Sequence, residues 1–180
     1  KDFHNYSPRF SAKYRINSIS SVKFATGIYY QYLNRIPRAF FNAIWTSADE
    51  YYDESRSIHY ILGYQRELPW AVSLETDVYY KEYNNIHQFN QNFLADVTPT
   101  GHSSTGKPLF NSTRDLFTTG NGESYGVEFM LKKETGIIDG WIAYSFAKTK
   151  YSFPGINKDK KFVPRHDRSS VVNIVLNTNL

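Results

Sequence analysis

The stretch AVSLETDVYYKEY at positions 71–83 decides the fold class predicted for this chain. Every second residue from Val72 to Tyr80 is apolar or is a threonine or tyrosine, whereas the alternate set of residues includes Glu75, Asp77 and Lys81. Successive side chains of a β-strand point to opposite faces of the sheet. This period of two therefore predicts a strand with one apolar face and one polar face.

Six further stretches repeat the period of two, so the chain is predicted to be all-β with about seven antiparallel strands. In residues 124–133, for example, Val127 and Phe129 alternate with residues that include Glu128 and Lys132. The six stretches are residues 9–17, 21–31, 57–68, 124–133, 140–150 and 170–180.

The connections between these strands alternate between short and long. Residues 17–20, 69–70 and 135–137 are short enough for hairpin turns. Residues 32–56, 84–121 and 152–168 form long connections, which are unusual in a compact soluble domain. Short turns at one end and long loops at the other are typical of outer-membrane barrels. The sequence therefore predicts a segment of an antiparallel transmembrane β-barrel, made of meandering strands.

Composition is compatible with this fold class. The chain is 17% aromatic, yet its mean hydropathy is −0.54, as expected where only every second residue of a strand meets lipid. No window approaches the roughly 18 consecutive apolar residues of a membrane-spanning helix. The net charge of +4 is spread along the chain rather than gathered into a basic stripe, which argues against a nucleic-acid partner.

Several aromatic residues fall where strands are predicted to end. Tyr30 and Tyr80 precede long connections, whereas Trp70 and Trp141 lie at or near the short turns. Amphipathic rings concentrate at the two water interfaces of a bilayer. We therefore expect these four residues to be membrane-interface aromatics.

Sequence motifs over nearly the whole chain resemble the late barrel strands of TonB-dependent receptors of the Bacteroidetes-like type. The longest is TGNGESYGVEFMLKKETGIIDGWIAYSFAKTK at 119–150, followed by FPGIN at 153–157 and PRHDRS at 164–169. SPRFSAKYRI at 7–16, HYILGYQREL at 59–68 and ETDVYYKEYNN at 75–85 extend the resemblance.

This resemblance implies that residues 1–180 belong to the C-terminal half of a barrel of about 22 strands closed around an N-terminal plug. We expect a fragment that is incomplete at both ends, because the chain shows no plug, no signal peptide and no aromatic-terminated last strand. The implied protein lies in the bacterial outer membrane in contact with lipid. It would bind a scarce nutrient, such as siderophore-bound iron, cobalamin or an oligosaccharide, at extracellular loops. Import would use energy from the TonB complex, reached through the plug.

Two groups of candidate site residues follow from the barrel interpretation. Rings beside carboxylates in the connection 32–56 suit a sugar or a cationic group, although the same rings could simply pack the loop down. Charged residues on the polar strand faces are expected to face the barrel lumen. The loop candidates are Phe40, Phe41, Trp45, Asp49, Tyr51, Tyr52 and Asp53, and the lumen-facing candidates are Glu75, Asp77, Lys81, Glu128 and Lys132.

We assign no catalysis, cofactor or metal. Ser169, His166 and Asp167 lack a nucleophile-elbow motif, and no pair of histidines has metal-ligand spacing. Two alternatives to the receptor remain open at this point. One is a simpler outer-membrane barrel, a porin or an adhesin, and the other is a soluble β-sheet ligand-binding module.

Overall fold

The chain folds into a seven-stranded antiparallel sheet with a separate two-stranded hairpin. The computed structural model describes residues 4–36, 44–48, 53–89, 117–165 and 167–178, and no α-helix occurs in these ranges. The strands are β1 (Arg9–Arg15), β2 (Ser20–Gln31), β3 (Leu33–Ile36), β4 (Ile44–Ser47), β5 (Ser55–Leu68), β6 (Val72–Phe89), β7 (Phe117–Lys133), β8 (Ile138–Ser152) and β9 (Ser170–Thr178). The order β1-β2-β5-β6-β7-β8-β9 in the large sheet confirms the predicted all-β meander of seven strands, while membership of a larger barrel stays a prediction.

In the middle of the sheet, the strand register places apolar residues opposite apolar residues. Leu62 of β5 pairs with Phe24 of β2 and with Val78 of β6, and Val78 pairs in turn with Val127 of β7. We call such a set of directly paired residues a row. Because directly paired residues share a face, every row is either wholly on the apolar face or wholly on the polar face. The two faces predicted for single strands therefore extend over all seven.

Many side chains on the apolar face are exposed, so the face is not covered by a second layer within the described residues. The exposed fractions are 55% for Leu62, 52% for Val78 and 59% for Ile174. Among the described residues, the buried hydrophobic side chains are Phe117 and Phe153, at the end of the sheet with the long connections. We call this the upper end.

The apolar face has a defined upper boundary. Tyr60, Tyr80 and Tyr125 form one row on this face, and the next row of the same face towards the upper end contains Glu82 and Glu123. From Val72 to Tyr80 the face spans about 27 Å along the strand, or about 20 Å in height at a tilt of about 40°. This apolar band is close to the roughly 25 Å band of outer-membrane barrels.

Strands β6 and β7 extend further into the connection predicted for residues 84–121 than expected. Their pairing continues past a β-bulge, where the register shifts between Tyr83 and Ile86. Asn85 adopts a left-handed backbone conformation there (φ 55°), which asparagine tolerates better than most residues. The pair Asn84-Asn85 resembles a turn in sequence, but here it kinks a strand that continues to Phe89.

The connection predicted for residues 32–56 contains regular structure. Strands β3 and β4 pair as a hairpin in which Leu33 lies opposite Ser47 and Arg35 lies opposite Trp45. Each strand has only four residues, which is too short for the period of two to be recognised.

The short connections form tight turns at the lower end of the sheet. The backbone N–H of Ile19 donates to Asn17 Oδ1 (3.0 Å) in the first turn. In the last turn Gly136 has φ 124°, and the nearby Lys132 Nζ lies 2.8 Å from Glu134 Oε1. This hydrogen bond from Lys132 holds the pKa of Glu134 below its usual value.

The turn between β5 and β6 leads to a prediction of increased stability. Ala71 has φ 54°, a left-handed conformation that costs an L-residue about 1–2 kcal/mol and that glycine adopts freely. We expect Ala71→Gly to raise the free energy of unfolding by about 1 kcal/mol, measured by urea unfolding. Ala25→Gly within β2 is the matched control and should lower it by about 0.5–1 kcal/mol. A destabilising Ala71→Gly would contradict the described turn.

Candidate functional site

The polar face of the sheet carries the residues expected to face a lumen. Asp77 pairs with Glu128, Lys81 with Ser124 and Lys132 with Ser73, so these charged residues share one face. Glu75 lies two residues from Asp77 on the same strand, and it pairs with Met130. The register therefore brings all five predicted residues to the polar face, although it does not gather them into one cluster.

An ion pair crosses three strands in the middle of this face. Lys23 Nζ of β2 lies 2.9 Å from Asp77 Oδ2 of β6, and Gly63 of β5 occupies the row between them. A side chain at position 63 would collide with both ionic partners, so glycine permits the pair. The ammonium group of Lys23 offsets the repulsion that Asp77 would otherwise experience from its directly paired neighbour Glu128.

A second group of charged and aromatic side chains occupies the upper part of the polar face. The Arg9 guanidinium lies 4.5 Å from the centroid of the Tyr29 ring, and that ring lies 4.4 Å from the His59 ring. On β6, Lys81 Nζ lies 4.7 Å from the centroid of the Tyr79 ring. Three basic side chains are thus held against aromatic rings by cation–π and stacking contacts.

Small residues on the polar face of β7 make room for rings from the neighbouring strands. A Cβ at Gly126 would lie 2.7 Å from the Tyr79 hydroxyl, and a Cβ at Gly122 would lie 2.5 Å from Tyr151 Cδ1. Both rings therefore lie directly against the β7 backbone. The glycines of TGNGESYGVE thus have a packing role, which the spacing of glycines and aromatic residues could have indicated.

The predicted ligand-binding loop is described only in part. Trp45 lies on the short strand β4 and is 62% exposed. The backbone carbonyl of Asp53 accepts a hydrogen bond from His87 Nε2 at 3.0 Å, which connects this segment to β6. The other loop candidates, Phe40, Phe41, Asp49, Tyr51 and Tyr52, lie outside the described residues.

The four predicted interface aromatics occupy different environments. Tyr80 lies on the apolar face in the row of tyrosines, and Tyr30 lies opposite Arg56 near the upper end of β2. Trp70 is 86% exposed in the turn between β5 and β6. Trp141 pairs with Lys132 and Val175. It therefore lies on the polar face, whereas its neighbour Ile142 lies on the apolar face.

The described residues contain no group of three or more histidine, cysteine, aspartate or glutamate side chains that could hold a metal ion. The Ser169 hydroxyl lies 3.5 Å from Asp167 Oδ2, while His166 lies outside the described residues. In the part of the chain that is described, no helix is both long enough and apolar enough to cross a membrane.

Comparison of the chain with protein-family models, with curated proteins and with solved structures gave no match.

Proposed function

We propose that this chain forms part of the wall of an outer-membrane β-barrel, and that the intact barrel imports a scarce nutrient as TonB-dependent receptors do. The proposed barrel wall rests on the exposed apolar face, which crosses all seven strands opposite a polar face. Soluble monomers rarely expose apolar patches larger than a few hundred Å². An apolar band bordered by tyrosines and then by charges suits lipid as the covering medium.

The two edges of the sheet would need further strands if the sheet lay in lipid. β1 and β9 are its two edge strands, and in lipid their free backbone N–H and C=O groups would need partners. A barrel wall therefore requires further strands beside both. In that arrangement the apolar face is the exterior, and the polar face with Lys23, Asp77 and Glu128 is the interior.

The proposed nutrient import rests on the sequence resemblance and on the alternation between short and long connections. The transported nutrient belongs to the siderophore-iron, cobalamin or oligosaccharide class and is bound at the extracellular connections. Import draws on the TonB complex through a plug encoded before this chain.

Membrane fractionation and an uptake assay of the full-length protein test the barrel wall and the import in turn. Expressed in a Gram-negative host, the protein should sediment with outer membranes, need detergent to remain monomeric, and migrate faster on gels unheated than boiled. Uptake of its nutrient should stop when TonB is deleted.

The alternatives give different outcomes in the same experiment. A product that is water-soluble and monomeric without detergent would refute the barrel wall and favour the soluble binding module. An outer-membrane product whose transport survives loss of TonB would instead favour the porin, and one without transport would favour the adhesin.

A further inference from the structure

The upper polar face contains a row of basic residues. Arg9, His59 and Lys81 lie in one row, with Gly27 between Arg9 and His59. From β1 to β7 this row and the rows that flank it contain no carboxylate. The flanking residues are Ser11, Ala25, Ile61, Tyr79 and Gly126 on the lower side, and Tyr29, Ser57, Tyr83 and Gly122 on the upper side.

Other lysines on the polar face have polar partners. Lys23 is paired with Asp77, and Lys13 Nζ donates to Gln65 Oε1 at 2.8 Å. By contrast, Arg9, His59 and Lys81 form no salt bridge within the described part of the chain. Asp77 lies four residues below Lys81, about 13 Å along the strand. We call Arg9, His59 and Lys81 the upper basic cluster.

Two acidic groups of the described residues lie near the β7 side of the upper basic cluster. Glu128 and Asp167 both interact electrostatically with the Tyr79 hydroxyl, which lies across Gly126 and away from β1 and β2. The β1–β5 side of the cluster is therefore the more positive part of this face. An anion entering there would meet the Arg9 guanidinium, which forms no salt bridge with the described residues.

The aromatic contacts orient the basic groups without neutralising them. The Arg9 guanidinium carbon lies over the Tyr29 ring, 4.5 Å from its centroid, and this cation–π contact leaves the guanidinium charged. A guanidinium group can donate two parallel hydrogen bonds to a carboxylate or a phosphate. Lys81 adds a point charge, and the rings of Tyr29 and Tyr79 offer flat surfaces beside the anion.

We propose that the upper basic cluster binds the anionic group, a carboxylate or a phosphate, of a solute inside the barrel. This inference rests on the proposed barrel, in which the polar face is the interior, and it makes the transported nutrient an anion. The upper basic cluster is a different site from the connection 32–56, whose rings and carboxylates were expected to bind a sugar or a cationic group.

Titration calorimetry of the intact detergent-purified protein tests the site with citrate, pyrophosphate and neutral sucrose as probes. At least one anion should bind saturably, and sucrose should not. Arg9→Gln and Lys81→Gln should each weaken anion binding at least tenfold, while Arg9→Lys, which keeps the charge but not the paired donors, should have a smaller effect. Lys13→Gln removes one positive charge four residues from Arg9 on β1, and it should leave the affinity for the anion within twofold of that of the unmodified protein.

The outcomes separate this inference from the proposed function. A protein that fractionates with the outer membrane but binds neither anion would overturn the site and leave the barrel intact. An equal loss of affinity in Lys13→Gln and Lys81→Gln would also overturn it, because binding would then follow net charge alone. Preferential binding of citrate or of pyrophosphate would identify the anionic group as carboxylate or phosphate. The faster migration of unheated samples verifies that each variant is folded.

Discussion

In the proposed barrel wall, Phe129→Arg should destabilise the protein by about 2–4 kcal/mol, the cost of an arginine facing lipid near the midplane of an outer-membrane barrel. Phe129 lies on the apolar face between Thr76 and Tyr144, and its side chain is 42% exposed. Its row is the third of the five rows from Val72 to Tyr80, so it is central in the apolar band. Urea unfolding in lipid vesicles, followed by tryptophan fluorescence, measures the change.

Two controls make this prediction specific for lipid. Met130→Arg introduces the same side chain one residue along the strand but on the polar face, beside Glu75, and should change stability by less than about 1 kcal/mol. Tyr125→Arg, at the upper boundary of the band, should cost only about 0–1 kcal/mol because the penalty decreases towards the interface. Equal costs at positions 125 and 129 would contradict a lipid-facing band.

Gly126→Ala should destabilise the protein by about 2–3 kcal/mol, because an added methyl group would have no room. Its Cβ would lie 2.7 Å from the Tyr79 hydroxyl and 2.8 Å from Tyr79 Cζ, and it would collide with the backbone carbonyl of Phe146. Forcing extra volume into a packed site typically costs about 1–3 kcal/mol. The same unfolding assay reports the loss of stability.

A matched glycine and a double mutant test the cause of this loss. Gly27→Ala would bring its Cβ to 3.1 Å from Arg9 Cγ and 3.2 Å from Tyr29, contacts that a side-chain shift of a few tenths of an ångström relieves, and should cost less than about 1 kcal/mol. Removing the ring in Tyr79→Ser should recover part of the cost of Gly126→Ala. If the two substitutions were instead strictly additive, the proposed clash with Tyr79 would be wrong.

The sequence predicted the sheet well because the relevant signal is local. Alternation within residues 71–83 and 124–133 is a property of neighbours along the chain, and it correctly assigned Glu75, Asp77 and Glu128 to one face. The short turns were equally recognisable, since turns such as Thr135-Gly136 carry the residues that reversals require.

Features that depend on pairing between distant residues could not be predicted in the same way. The bulge at Asn85, the Lys23–Asp77 pair across Gly63 and the packing of Tyr79 on Gly126 each require the register of two or three strands. The upper basic cluster was missed for the same reason, because Arg9, His59 and Lys81 are brought into one row only by the sheet.

Site-directed spin labelling along β6 and β7 tests the central claim most directly, and the absence of cysteine from the chain makes single-cysteine labels straightforward. In outer-membrane vesicles, labels at Val78, Leu131 and other apolar-face positions should collide strongly with lipid-soluble oxygen and weakly with a water-soluble nickel chelate. Labels at the intervening positions should collide less with oxygen, giving a period of two along each strand. Loss of this alternation, or an apolar face shielded from both reagents, would contradict a barrel wall in contact with lipid.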